Sequence, residues 1–175
     1  MACSLTTGRK VPCKSAVGGI KTIYFADYGT LGDASISAGE ITALAGTPDF
    51  FQFDVKGSSA LETAINSSRE NGTTFYESTL TMALTFQDKA TQEELKLIAH
   101  ARPHVAIEDY NGNFFLLGLE HGAEVTGGSI TSGAAMGYLS GYSLTIVAQE
   151  TAPPYFVTST VITGDASAVQ IDPTA

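Results

Sequence analysis

At 175 residues the chain has the length of one domain with a full hydrophobic core and short arms to spare. Only 15% of its residues are charged, against roughly 25% in an ordinary soluble domain, and a surface so poor in charge suits a chain covered by copies of itself. The net charge of −9 divides into a basic stretch, 1–26, and an acidic remainder; an acidic body excludes a phosphate-gripping groove, which needs Lys and Arg.

Residues 1–19 show no periodicity and end in Gly18-Gly19, so they are expected to form an arm. With Lys21, the arm's Arg9, Lys10 and Lys14 make up the basic stretch, which holds no acid. Opposite fields on arm and body steer identical chains head to tail. MACSLTTGRKVPCKS lacks the apolar run of an export signal, and no segment approaches the roughly 18 apolar residues of a membrane helix. Cytosolic synthesis and assembly is therefore the expectation, with Cys3 and Cys13 reduced. Residues 20–28 (IKTIYFADY), β-branched and aromatic, predict a first strand. A turn-rich stretch, 29–39, leads to a short strand at 40–44. After Pro48-Asp49, residues 50–55 alternate Phe51, Phe53 and Val55 with Gln52 and Asp54, and Gly57-Ser58-Ser59 permits a bend.

The pattern is clearest in residues 73–86, TTFYESTLTMALTF. Leu80, Met82, Leu84 and Phe86 alternate with Thr79, Thr81, Ala83 and Thr85, a period of two that would scatter the apolar residues around a helix. One face is expected to pack on a core; the other is small and polar. Residues 60–66 alternate in the same way, and the turn cluster 67–72 joins the two into a long hairpin.

One helix is predicted, 91–102. Thr91 and Glu94 have capping-box spacing, Leu95, Ile98 and Ala99 form an apolar stripe, and Pro103 ends it. Leu97 lies off that stripe and marks a second contact. Strands 104–110 and 113–120 flank the hairpin signal Asn111-Gly112. The Gly-, Ser- and Thr-rich stretch 122–137 holds a short strand at 124–126, and strands follow at 138–150 and 155–162 before a tail, 163–175. The fold class is mainly β: an antiparallel sandwich or barrel spanning 20–162 as one domain, with one flanking helix.

No constellation for chemistry stands out. His100 and His104 straddle Pro103 and share no helix face, His121 is isolated, and the phosphate-loop, nucleophile-elbow and zinc-protease patterns are absent. Adjacent strand residues Glu108 and Asp109 point to opposite faces, wrong for a carboxylate dyad. The three histidines and these two acids are read as solvated or hairpin-end residues. No catalytic, cofactor-binding or metal-ligating residue is assigned, and the chain is read as a non-enzyme.

Two stretches carry a family resemblance. ACSLTTGRKVPCKSAVGGIKTIYFADYG resembles the start of tail tube (virion structural) proteins of tailed phages, particularly those infecting Bacteroidetes. FLLGLEHGAEVTGGSITSGAAMGYLSGYSLTIVAQETAPPYFV resembles the tube family more broadly, with a Gly-rich turn, a strand, a proline break and a last strand. The resemblance implies a β-sandwich with one helix that forms hexameric rings. The rings stack into a tube, and long hairpin strands from each subunit join into an inner β-barrel. Double-stranded DNA passes through that lumen without specific binding, and a tape-measure protein fills it beforehand. On this reading the chain belongs to the virion tail, assembled in the host cytoplasm with other tail proteins and touching no membrane. Glu77, Thr79, Thr81, Ala83 and Thr85 are then expected to face the lumen, with Glu62 from the partner strand. Arg9, Lys10 and Lys14 are expected to reach a neighbouring ring. The alternatives are a soluble β-sandwich binding module of adhesin or carbohydrate type, and another tail component such as a tail terminator.

Overall fold

The computed structural model describes residues 7–55 and 57–164. In chain order its elements are β1 (Ile20–Ala26), β2 (Ala34–Ser37), β3 (Glu40–Leu44), β4 (Phe51–Asp54), β5 (Ala60–Ser68), β6 (Thr73–Thr85), α1 (Lys89–His100), β7 (His104–Asp109), β8 (Phe114–Leu117), β9 (Glu124–Thr131), β10 (Gly141–Glu150), β11 (Tyr155–Val157) and α2 (Ser159–Thr163). They build two sheets, a seven-stranded one ordered β2-β3-β11-β8-β7-β1-β4 and a four-stranded one ordered β5-β6-β10-β9. Among the described residues neither sheet closes into a barrel; the architecture is a sandwich. Its pairs are antiparallel except β3 with β11, which is parallel.

The centre of the seven-stranded sheet is buried on both faces, which explains the near-continuous apolar runs of β1 and β7. Ile23, Phe25, Val105 and Ile107 point between the sheets, where they meet Leu80, Met82, Tyr142, Ile146 and Ala148. Tyr24, Ala26 and Ala106 point the other way and meet Ile41, Phe50, Leu116 and Val157, with Val161 and Ile162 of α2. Fully burying one such large aliphatic or aromatic side chain contributes roughly 1.5–3 kcal/mol.

Helix α1 packs on β9 and sends Leu95 and Ile98 into the core between the sheets. It starts earlier than its sequence suggests. Asp88 is the N-cap, its Oδ2 accepting the Thr91 N–H at 2.9 Å, so Thr91 sits inside the first turn and its capping box with Glu94 is not the start signal. The helix ends at His100. Arg102 lies beyond it, with its guanidinium 4.7 Å from the Tyr28 ring centroid.

Four other expectations are corrected. β6 stops at Thr85, because Phe86 takes a left-handed backbone (φ 69°) that turns its side chain out to 53% exposure instead of into the core. The stretch 29–39 contains β2, which pairs with β3. The strand expected at 124–126 runs on through Gly127-Gly128 to Thr131, held along its length by β10. The strand expected at 155–162 is three residues of β11 followed by a turn of helix, α2, whose Val161 N–H bonds the Thr158 carbonyl. The tail's residues 165–175 and Cys3 lie outside the described residues.

Candidate functional site

In antiparallel pairs, directly opposed residues share a face of the sheet. The β5–β6 register sets Ala60 against Thr81, Glu62 against Thr79 and Ala64 against Glu77. The β6–β10 register sets Glu77 against Gln149, Thr79 against Val147, Thr81 against Thr145, Ala83 against Ser143 and Thr85 against Gly141. The six candidates Glu62, Glu77, Thr79, Thr81, Ala83 and Thr85 therefore lie together on one face. It is the outer face, because the alternate residues Leu80 and Met82, each 1% exposed, are in the core.

That face is wider than the hairpin. β10 extends it with Ser143, Thr145, Val147 and Gln149, and β9 adds Glu124, Gly127, Ser129 and Thr131. Three carboxylates stand on it, Glu62, Glu77 and Glu124, and none of its paired residues is Lys or Arg. Glu77 accepts a hydrogen bond from Gln149 Nε2, its directly opposed neighbour, at 2.6 Å. The β10 contribution was legible in the alternation of Tyr142, Leu144 and Ile146 with Ser143 and Thr145. The β9 contribution was not, since glycines and serines advertise a loop.

Among the described residues no further strand pairs with either edge of this sheet. β5 and β9 are its outermost strands, and neither contains the Pro or Lys with which edges are commonly blunted. Each edge also leaves a large apolar side chain in water on the face opposite the carboxylates: Ile65 at 68% and Ile130 at 61% exposure. Leu97 of α1 is 62% exposed, so the second contact expected of it is not made among the described residues.

The basic arm is rooted at the β7–β8 turn. The Val17 N–H donates to Asn111 Oδ1 at 2.9 Å and Asn111 Nδ2 donates to the Val17 carbonyl at 2.8 Å. Asn111 is itself held by Asp109, which also accepts from Asn113. Burial pushes the Asp109 carboxyl up, but the hydrogen bonds from Asn113 and Asn111 outweigh it and hold it below the usual range. Arg9, Lys10 and Lys14 are exposed beyond this root.

Several titratable groups hold the fold together. Glu108 and Asp109 diverge as expected, Glu108 taking Lys21 Nζ at 2.7 Å. His104 is neither solvated nor at a hairpin end. At 2% exposure it lies under Tyr28, with ring centroids 5.2 Å apart, between the Gly29 N–H and the Gly118 carbonyl. Donor atoms of Glu120, His121 and Glu150 lie within 4.8 Å of one another, the spacing of a metal-ligand set. Glu150 is already engaged: Oε1 accepts the backbone N–H groups of Glu120 and His121, and Oε2 meets His121 Nδ1 at 2.9 Å. The trio clamps the 118–122 turn to the end of β10. Among protein-family models, curated proteins and solved structures, none matches the chain.

Proposed function

We propose that the chain is a structural, non-catalytic subunit of a phage tail tube, forming stacked hexameric rings whose acidic and polar lumen conducts double-stranded DNA. The observation that carries this reading is the outer face of the β5-β6-β10-β9 sheet, four strands wide, bearing three carboxylates and no cation. A wall along which DNA slides must not hold phosphate, and every Lys or Arg on it adds a salt-dependent contact. Apart from Asn66, Phe75 and Gln149, the uncharged side chains of this wall are small Thr, Ser, Ala, Val and Gly, which keep most of it smooth.

The topology supports closure. The four strands alternate in direction, so β9 of one copy and β5 of the next, related by rotation about a common axis, run antiparallel and continue the sheet. Six copies give a barrel of about 24 strands, beyond the 16–18 at which barrels already enclose an aqueous channel. The arm's cations, tethered through Asn111, have an acidic body on the next ring to bind. In this reading the tape-measure protein and other tail proteins are the further partners, and the virion is the location.

Negative-stain microscopy of the purified chain across a concentration series tests the proposal. Rings with six-fold averages, or tubes, are expected. Monomers at every concentration, above all monomers that bind glycan, would replace this reading with the binding-module one.

A further inference from the structure

The two open edges are not level, and their offset carries a register. With β6 as a common ruler, β5 lies opposite residues 73–81 and β9, through β10, opposite residues 79–85. Their midpoints are thus at residues 77 and 82. A second copy that continues the sheet has to slide along the strands to meet its neighbour, and the amount of slide decides which side chains oppose.

A flush join sets Glu62 against Glu124, since both stand at the level of Thr79, and like charges directly opposed are destabilising. Odd shifts turn the apolar set of one strand onto the polar face of the other. A shift of two leaves both Ile65 and Ile130 without an opposed residue. A shift of six sets Ile65 against Gly128 and Ile130 against Thr63. A shift of four opposes Leu61 with Ile130 on the inner face and Glu62 with Ser129 on the outer face; where the β9 bulge at Thr126 is skipped, as in its pairing with β10, Ile65 then meets Val125 and Asn66 meets Glu124. Each large apolar residue, Leu61, Ile65, Val125 and Ile130, then meets another, and no acid meets an acid.

Barrel geometry, which makes no reference to side chains, admits the same value. A stagger of four residues across four strands, at about 3.3 Å per residue and 4.8 Å per strand, tilts the strands by about 35°, at the edge of the 35–45° range of closed barrels. A flush join gives no tilt and a shift of two only about 19°, while a shift of six gives about 46°, so geometry leaves four and six and the side chains decide for four.

We infer that β9 of each copy pairs antiparallel with β5 of the next at this four-residue stagger, covering Ile130 with Leu61 and Ile65 with Val125. This rests on the self-assembly reading above and adds to it the register at which the two edges meet. The edges select a second copy by opposed apolar pairs on one face and by separation of Glu62 from Glu124 on the other.

Cysteine pairing tests the register, in a chain with Cys3 and Cys13 replaced by Ser. Glu62→Cys with Ser129→Cys, two exposed positions, should yield a ladder of covalent oligomers on oxidation of assembled protein. Glu62→Cys with Glu124→Cys reports a flush join, and Glu62→Cys with Thr131→Cys a shift of six. A ladder from either of those, or none from the first pair in chains that microscopy shows as rings, overturns the register and leaves the tube reading standing. Chains that stay monomeric, with the wild type monomeric too, overturn both. Ile65→Asp and Ile130→Asp give a second readout. Each should remain folded by circular dichroism yet lose assembly, and either one assembling like wild type overturns the inference.

Discussion

His104 accepts the Gly29 backbone N–H through Nε2 at 3.0 Å while its Nδ1 faces the Gly118 carbonyl, so one neutral tautomer satisfies both neighbours. Burial pushes the imidazole below its ordinary value of 6.5, outweighing the Gly118 bond and the Glu150 charge, which act the other way. A depressed folded-state pKa means that the unfolded chain binds the proton more readily. The stability from His104 is therefore complete above pH 6.5 and is lost as the pH falls through the lower folded value. The urea midpoint should drop between pH 7 and 5. His104→Leu should flatten that slope and lower stability at pH 7, since unpairing a buried N–H or C=O costs about 1–3 kcal/mol each. An unchanged slope in that variant would contradict the assignment.

The start of α1 rests on Asp88. The Thr91 hydroxyl and backbone N–H hold its carboxyl below the usual 3.8. Its contribution is thus present above pH 3.8 and fades as the pH falls through the depressed value. Asp88→Ala should destabilise by about 1 kcal/mol in urea titrations at pH 7. Glu94→Ala, which would remove the capping-box partner, should change stability by less than half as much; equal effects would restore Thr91 as the cap.

The period-two stretch was readable because one rule decided it: Leu80 and Met82 face the core, so every second residue must face out. The helix start was misread because Thr91 and Glu94 carry a capping signature by spacing, while Asp88 three residues earlier supplies the actual cap. Gly127-Gly128-Ser129 gave no strand signal, because β9 exists through its ladder with β10 rather than through its own propensity. Phe86 followed the alternation in sequence, but a backbone angle breaks it, and no side-chain pattern reports that angle. His104 was missed because its partners, Gly29 and Gly118, are backbone groups far away in sequence. The candidate face was half legible: its hairpin appears in local order, whereas its width depends on a β6–β10 pairing that spans the helix and another hairpin.

The between-sheet core should be sensitive at Leu80 and tolerant at Leu84. Leu80 is 1% exposed, whereas Leu84 is only partly buried beside the same cluster. Leu80→Ala should cost about 2–5 kcal/mol and Leu84→Ala distinctly less, by chemical denaturation. A reversed order would mean that β6 presents a different pair of residues to the core.

Release of the arm should act on assembly and leave folding intact. Asn111→Ala removes both bonds to Val17, at an exposed turn away from either core. The thermal midpoint should move little, while limited proteolysis within 7–19 should accelerate and tubes should shorten to rings. Tubes of wild-type length from this variant, or from a chain lacking residues 1–19, would remove the arm from the assembly.

A cation on the outer face separates lumen from exterior. Thr81 is partly exposed at the middle of that outer face, with Ala60 and Thr145 on either side, so a Lys there extends outward without entering the core. Thr81→Lys should therefore fold and assemble normally. If the face lines a channel, a six-fold ring carries six new ammonium groups at one level, and stacking repeats them along the tube. Each phosphate contact so created is released by salt, so DNA retained in isolated tubes should fall steeply as salt rises. Ejection should slow correspondingly at low ionic strength, and phage carrying the variant should lose infectivity. Thr81→Gln, similar in reach and uncharged, should restore both. If the face instead looks outward, Thr81→Lys tubes retain no more DNA than wild type at any salt concentration, and infectivity is unchanged.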